Sequence, residues 1–116
     1  MKRSAPLSLA LALVLLVLAG AARAAERVAL VVGNGAYRTV PALANAANDG
    51  RAVAATLREL GFEVFEGIDL DAAATTALLR DFARALDGAT VGLFYYAGHG
   101  MQVGGENYLV PVDARL

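Results

Sequence analysis

The sequence predicts an α/β fold with a mostly parallel sheet in the strand order 2-1-3, followed by a hairpin. Three observations predict it. Short apolar runs rich in β-branched or aromatic residues alternate with segments of helical period. The first and third runs are too continuously apolar for strands with one wet face, so they read as buried on both sides. Each of those two runs also stops at a glycine-rich corner, Gly33-Asn34-Gly35 and Gly98-His99-Gly100. Crossovers between parallel strands are right-handed, which makes the first strand central.

Taken in order, "RVALVVGN" (Arg27 to Asn34) is the first strand, and a loop follows it through Pro41. "NDGRAVAATLRELGF" reads as a helix with Asn48 or Asp49 placed to cap its start. Val53, Leu57 and Leu60 recur at i, i+4 and i+7 and form its apolar face. Gly61 ends it, with Phe62 set to fold back in a Schellman motif. "FEVFEGI" alternates and reads as a second strand nearer a sheet edge. Asp71 caps a second helix over Ala72 to Leu86, whose apolar face is Leu78, Leu79, Phe82 and Leu86. Gly88 stops it. "VGLFYYAG" (Val91 to Gly98) is the third strand. "MQVGGENYLVP" forms the hairpin, since Gly104-Gly105 supplies the positive φ that a two-residue turn requires.

The N-terminus has a different character. Lys2 and Arg3 precede an apolar run from Leu7 to Ala19, and Ala22-Arg23-Ala24 is a small-x-small cleavage pattern. This is the layout of a secretory signal peptide over residues 1–24. The run is shorter than the roughly 20 residues that cross a bilayer as a helix, so an uncleaved anchor is the lesser alternative. The expected product is exported, periplasmic or secreted, and the alanine-rich composition fits a bacterial source. Removing the leader takes three of the ten basic residues and none of the eleven acidic ones, leaving 7 against 11, a net charge of -4. With 58% hydrophobic and 18% charged residues and no basic cluster, disorder and nucleic-acid binding are excluded.

In a sheet of this order the ligand crevice lies beyond the C-terminal ends of strands 1 and 3, where the connections diverge. Both glycine corners fall there. His99, the only histidine, sits between two glycines that let backbone approach a ligand closely. An inert strand-end histidine is the bland reading, but the crevice, the glycines and the position after a buried strand favour function. A metal site lacks partners at ligand spacing, and no cofactor is expected. A dinucleotide site at Gly33-Asn34-Gly35 lacks the third glycine and the helix that should start at once. Asn34 and Glu106 read as a turn former and a solvated hairpin residue. Histidines in catalysis usually serve a nucleophile. After Ala24, however, the chain has no cysteine, serine or lysine, and its threonines are not at either strand end.

"YYAGHG" followed by "GGENYLVPVD", with "RVALVVGNGAY" and "LANAANDGRAVAATLRELGFEV" upstream, resembles bacterial caspase-like and metacaspase-like peptidases over about Arg27 to Leu116. The resemblance implies a caspase-like three-layer α-β-α sandwich and hydrolysis of peptide or protein substrates by a cysteine–histidine dyad. His99 matches the catalytic base, and Gly100 matches the glycine whose N–H forms half of the oxyanion hole. Asp49, in an Asn-Asp stretch, matches the residue that lines a pocket for Arg or Lys. The helix-cap reading of Asp49 stands beside that one. Ala97 and Ala46 depart from residues often found in metacaspases, serine and cysteine respectively. Only Glu106 and Asp113 follow His99 as acids, so calcium dependence is not implied. In this family the cysteine comes about 50 residues after the histidine. Only 17 residues follow His99, so the expectation is the histidine half of the dyad, inactive alone. The open edge of strand 3 would then pair with the complementary part or self-associate. An exported, non-catalytic caspase-like binding module is the alternative.

Overall fold

The computed structural model describes residues 25–116, and the expected leader over residues 1–24 lies outside them. The elements are β1 (Arg27–Gly33), α1 (Ala46–Glu59), β2 (Glu63–Ile68), α2 (Ala72–Leu86), β3 (Val91–Ala97), β4 (Gly100–Val103) and β5 (Glu106–Leu109). β1, β2 and β3 form a parallel sheet in the order β2-β1-β3, and β4 and β5 form a separate antiparallel hairpin.

β1 is central, and Val28, Ala29, Leu30 and Val31 are at most 1% exposed. That burial explains the unbroken apolar run, because side chains of alternate residues go to opposite faces. Ala29 and Val31 meet Ala54 and Leu57 of α1, joined by Val64, Leu93 and Tyr95 from the neighbouring strands. Leu30 and Val32 face the other way, toward Leu78 and Leu79 of α2 with Phe94 and Tyr96. Phe65 of β2 meets Phe82 of α2 edge-on at 6.3 Å between ring centroids. The two helices thus cover opposite faces, giving three layers. The order explains this: the chain moves from β1 to one neighbour and then crosses back to the other. Two crossovers of the same hand then place their helices on opposite sides.

α1 begins earlier than its composition suggests. Its N-cap is Asn45, with no side-chain cap bond, so Asn48 and Asp49 lie inside the first turn and cap nothing. The reason is a close approach that the sequence pattern hides. A Cβ on Gly33 would stand 2.5 Å from the Ala46 carbonyl oxygen, and one on Gly50 would stand 3.1 Å from the Gly33 Cα. Glycine on both sides lets the first turn of the helix press on the end of β1. The buried face is therefore Ala46, Gly50, Ala54 and Leu57, while Leu60 is 57% exposed at the C-cap. The end of the helix is as expected. Gly61 has φ 86°, its N–H donates to the Arg58 carbonyl at 3.0 Å, and the Phe62 N–H reaches the Leu57 carbonyl at 3.0 Å, the bonds of a Schellman motif.

α2 has the expected boundaries, with Asp71 accepting from the Ala74 N–H at 2.8 Å. None of its residues is fully buried. The hairpin turns through Gly104 (φ 59°) and Gly105 (φ 82°), the paired left-handed residues of a tight turn. After β5 the chain straps back across the loops. The Val112 N–H donates to the Leu70 carbonyl at 2.9 Å, the Arg38 N–H to the Val112 carbonyl at 3.0 Å, and the Ala72 N–H to Asp113 Oδ1 at 3.0 Å. Val110 and Val112 bury against Tyr37. Among the described residues, no helix is long and apolar enough to cross a membrane.

Gly33→Ala forces a methyl into a backbone carbonyl that cannot rotate away. We expect destabilisation at the upper end of the ~1–3 kcal/mol seen for overpacked sites, read by urea unfolding.

Candidate active site

At the C-terminal edge of the sheet the corner between the loops is organised by Asn34, which is 2% exposed. Its N–H donates to the Ala97 carbonyl at 2.8 Å, and its Oδ1 accepts the Leu70 N–H at 2.9 Å. The expected turn former is instead a buried clamp between the ends of β1 and β3 and the loop after β2. Asp69 supports the same corner. Its Oδ1 accepts from the Gly35 and Ala36 N–H groups at 2.8 and 2.9 Å, and its own N–H donates to the Gly33 carbonyl at 2.9 Å. Asp69 has φ 54°, a left-handed conformation that its side-chain bonds help to hold. Together these contacts set the loop that carries Tyr37.

Tyr37 reaches from that loop to the segment after β3. The His99 N–H donates to the Tyr37 hydroxyl at 2.9 Å, and that hydroxyl donates to the Val110 carbonyl at 2.8 Å. The Tyr96 hydroxyl donates to the His99 carbonyl at 2.7 Å and lies 3.2 Å from the Tyr37 hydroxyl. Burial, then the hydrogen bond and charge of Tyr37, push the Tyr96 phenol well above its ordinary value. Gly98 makes room for both rings: a Cβ there would stand 2.5 Å from the Tyr96 hydroxyl and 2.8 Å from that of Tyr37.

The His99 ring lies against the Tyr37 ring, 4.7 Å between centroids and tilted by 60°. Its Nε2 is 2.7 Å from the Pro41 carbonyl oxygen. A carbonyl only accepts, so Nε2 carries the proton and Nδ1 keeps a free lone pair in the neutral ring. Pro41 belongs to the loop after β1 and His99 to the segment after β3, so this bond joins the two loops that leave the C-terminal ends of those strands. Gly100 is exposed, and a Cβ there would meet only the Tyr108 carbonyl oxygen at an ordinary 3.8 Å. Asp49 is exposed in the first turn of α1, next to Gly50 and thus at the same edge of the sheet. With the cap reading removed, its carboxylate is free to face solvent. Glu106 is exposed on the hairpin, as expected, and accepts from the Tyr108 hydroxyl at 3.1 Å.

The structure therefore brings His99 and Gly100 to the mouth between β1 and β3, with Asp49 on the same edge. Asn34, Asp69, Tyr37 and Tyr96 also build this corner, and no motif in the sequence singles them out. The usable signal was polar residues at the ends of apolar runs, where a side chain is drawn into the corner between loops.

The family model described as the caspase domain matches residues 26–116. Mucosa-associated lymphoid tissue lymphoma translocation protein 1 of Homo sapiens is 38% identical over 91 residues, covering 78% of this chain and 11% of the relative. The homolog of that protein in Mus musculus is 37% identical over 91 residues, with the same coverage of each. The chain spans about 11% of the length of these curated relatives.

Two expectations follow from the tyrosine pair. Gly98→Ala should displace both hydroxyls and cost ~1–3 kcal/mol, while Gly100→Ala, with open space, should stay within ~0.5 kcal/mol by the same unfolding measurement. Tyr96 favours its protonated form more in the folded chain than in the unfolded one. Its contribution is thus complete below its ordinary value of 10.0 and is lost as pH rises beyond it. The thermal midpoint should fall above about pH 10 more steeply than in Tyr96→Phe.

Proposed function

The chain belongs to the caspase-domain family, and on that premise we propose that residues 25–116 are the histidine-bearing part of an exported endopeptidase domain that cuts after arginine or lysine. The observation that carries this reading is the hydrogen bond from His99 Nε2 to the Pro41 carbonyl at 2.7 Å. It fixes the ring by one nitrogen and leaves Nδ1 as the basic atom.

In this mechanism Nδ1 of His99 takes the proton from a cysteine thiol. The thiolate sulfur bonds to the scissile carbonyl carbon, and the carbonyl π electrons move onto oxygen. The Gly100 N–H donates to that oxyanion as one of its stabilising groups. On collapse, the C–N bond breaks and His99 returns its proton to the departing amine. Water, deprotonated by the same nitrogen, then cleaves the thioester and restores the thiol. Asp49 supplies the negative charge that pairs with the arginine or lysine side chain before the cut bond. The 116 residues contain no cysteine, so the thiol must come from polypeptide outside them. Peptides and proteins are the substrates, and no cofactor is required. The leader over residues 1–24 directs export.

The test has two parts. The 116-residue chain should hydrolyse an arginyl-amide peptide no faster than buffer, and cleavage sensitive to a thiol blocker would contradict the assignment. The coding sequence beyond the Leu116 codon should encode an Asp-x-Cys-Arg-like stretch about 50 residues after His99. The longer product should cleave after Arg or Lys, and His99→Ala should cost at least ~10²-fold in kcat. Asp49→Asn should lower kcat/KM for arginyl substrates roughly tenfold or more, the worth of one charge-assisted hydrogen bond. Absence of such a stretch, with a stable product, would favour a binding module instead.

A further inference from the structure

Resting on the assignment of Gly100 as an oxyanion donor, we propose that Tyr96 is a positioning residue that holds the His99 carbonyl and thereby aims the Gly100 N–H, while Tyr37 ties the His99 N–H to the loop after β1. The peptide unit joining His99 to Gly100 is planar and trans, so the His99 C=O and the Gly100 N–H point in opposite directions. Two donors hold the carbonyl: the Tyr96 hydroxyl at 2.7 Å and the Val110 N–H at 3.1 Å. Fixing the carbonyl from one side fixes the direction of the N–H on the other.

The hairpin alone does not achieve this. In the β4–β5 register Gly100 stands opposite Leu109, one position further in than His99 and Val110. Rungs of an antiparallel ladder alternate between bonded and unbonded pairs. The Val110 N–H bonds to the His99 carbonyl, so the Gly100–Leu109 rung is of the unbonded kind and leaves the Gly100 N–H outside the ladder. The bonded rung is itself unusual. Its second half would be the His99 N–H donating directly to the Val110 carbonyl. Instead the Tyr37 hydroxyl stands between them, accepting from the His99 N–H at 2.9 Å and donating to the Val110 carbonyl at 2.8 Å. A side chain from the β1 loop has replaced half of a backbone rung, so the conformation of His99 is tied to β1 as well as to the hairpin. Gly98 is the enabling residue, because a Cβ there would occupy the space of both hydroxyls.

The experiment uses the ¹⁵N-labelled chain, weakly aligned for amide dipolar couplings and followed by hydrogen exchange. In Tyr96→Phe the Gly100 N–H coupling should change, while those of Val31 in β1 and of the Gly104-Gly105 turn keep their wild-type values. In Tyr37→Phe the His99 amide should exchange at least ~10-fold faster with the Gly100 coupling retained, since the carbonyl is still held. Gly98→Ala moves the hydroxyls and keeps both rings, so it should reproduce the Gly100 change even if Tyr96→Phe does not fold. An unchanged Gly100 coupling in Tyr96→Phe or Gly98→Ala, or unchanged His99 exchange in Tyr37→Phe, overturns the proposal. None of these readouts needs a thiol. Their failure leaves the endopeptidase assignment standing, and an inactive longer product leaves the tyrosine arrangement intact.

Discussion

The Asn34 side chain accepts the Leu70 N–H at 2.9 Å while its own N–H donates to the Ala97 carbonyl at 2.8 Å, so one buried residue joins the ends of β1 and β3 to the loop after β2. A polar group buried this deeply is costly unless its partners are met, and among the described residues no buried side-chain polar atom lacks one. The arrangement is therefore all or nothing. With the Asn34 bonds made, the loops after β1, β2 and β3 leave the sheet from one corner. Asp69 and the strap through Val112 and Asp113 close the same corner from the side of α2.

Beyond that corner the main chain of His99 is held by side chains rather than by a regular ladder. Tyrosine suits the task. Its ring fills apolar space, while its hydroxyl both donates and accepts at a fixed reach from the backbone. Tyr37 uses both capacities on one peptide chain crossing, and Tyr96 spends its proton on the His99 carbonyl. The imidazole is left with one engaged nitrogen and one free one.

The apolar surface around β3 follows from the same topology. β1 has a paired neighbour on each side, whereas among the described residues β3 is hydrogen-bonded only to β1. Phe94 is accordingly 50% exposed and Val91 43%, and α2 lies over β1 and β2 with Leu79 and Leu86 partly uncovered. An apolar face of helical period states that a helix has something to cover, and the extent of the sheet beneath it decides how much is covered.

The fold was largely legible in the residues. The run from Arg27, the alternation from Phe62 and the aromatic run from Val91 give the strands, the Asp71 and Gly61 signals give the helix limits, and the Gly104-Gly105 pair gives the turn. The glycine corners around Asn34 and His99 come together because strands 1 and 3 end at the same level in the order 2-1-3. The start of α1 was not legible, since the approach of Ala46 to Gly33 is a contact between distant segments and leaves no local trace. Nor were Leu60's exposure, the burial of Asn34 or the bridging hydroxyl of Tyr37. Local pattern determines which residues are helical, extended or turning, because period and backbone freedom act over a few neighbours. Which polar atom meets which partner across 33 to 75 residues of sequence was decided only when the layers closed, since hydrogen bonds select partners by position in space.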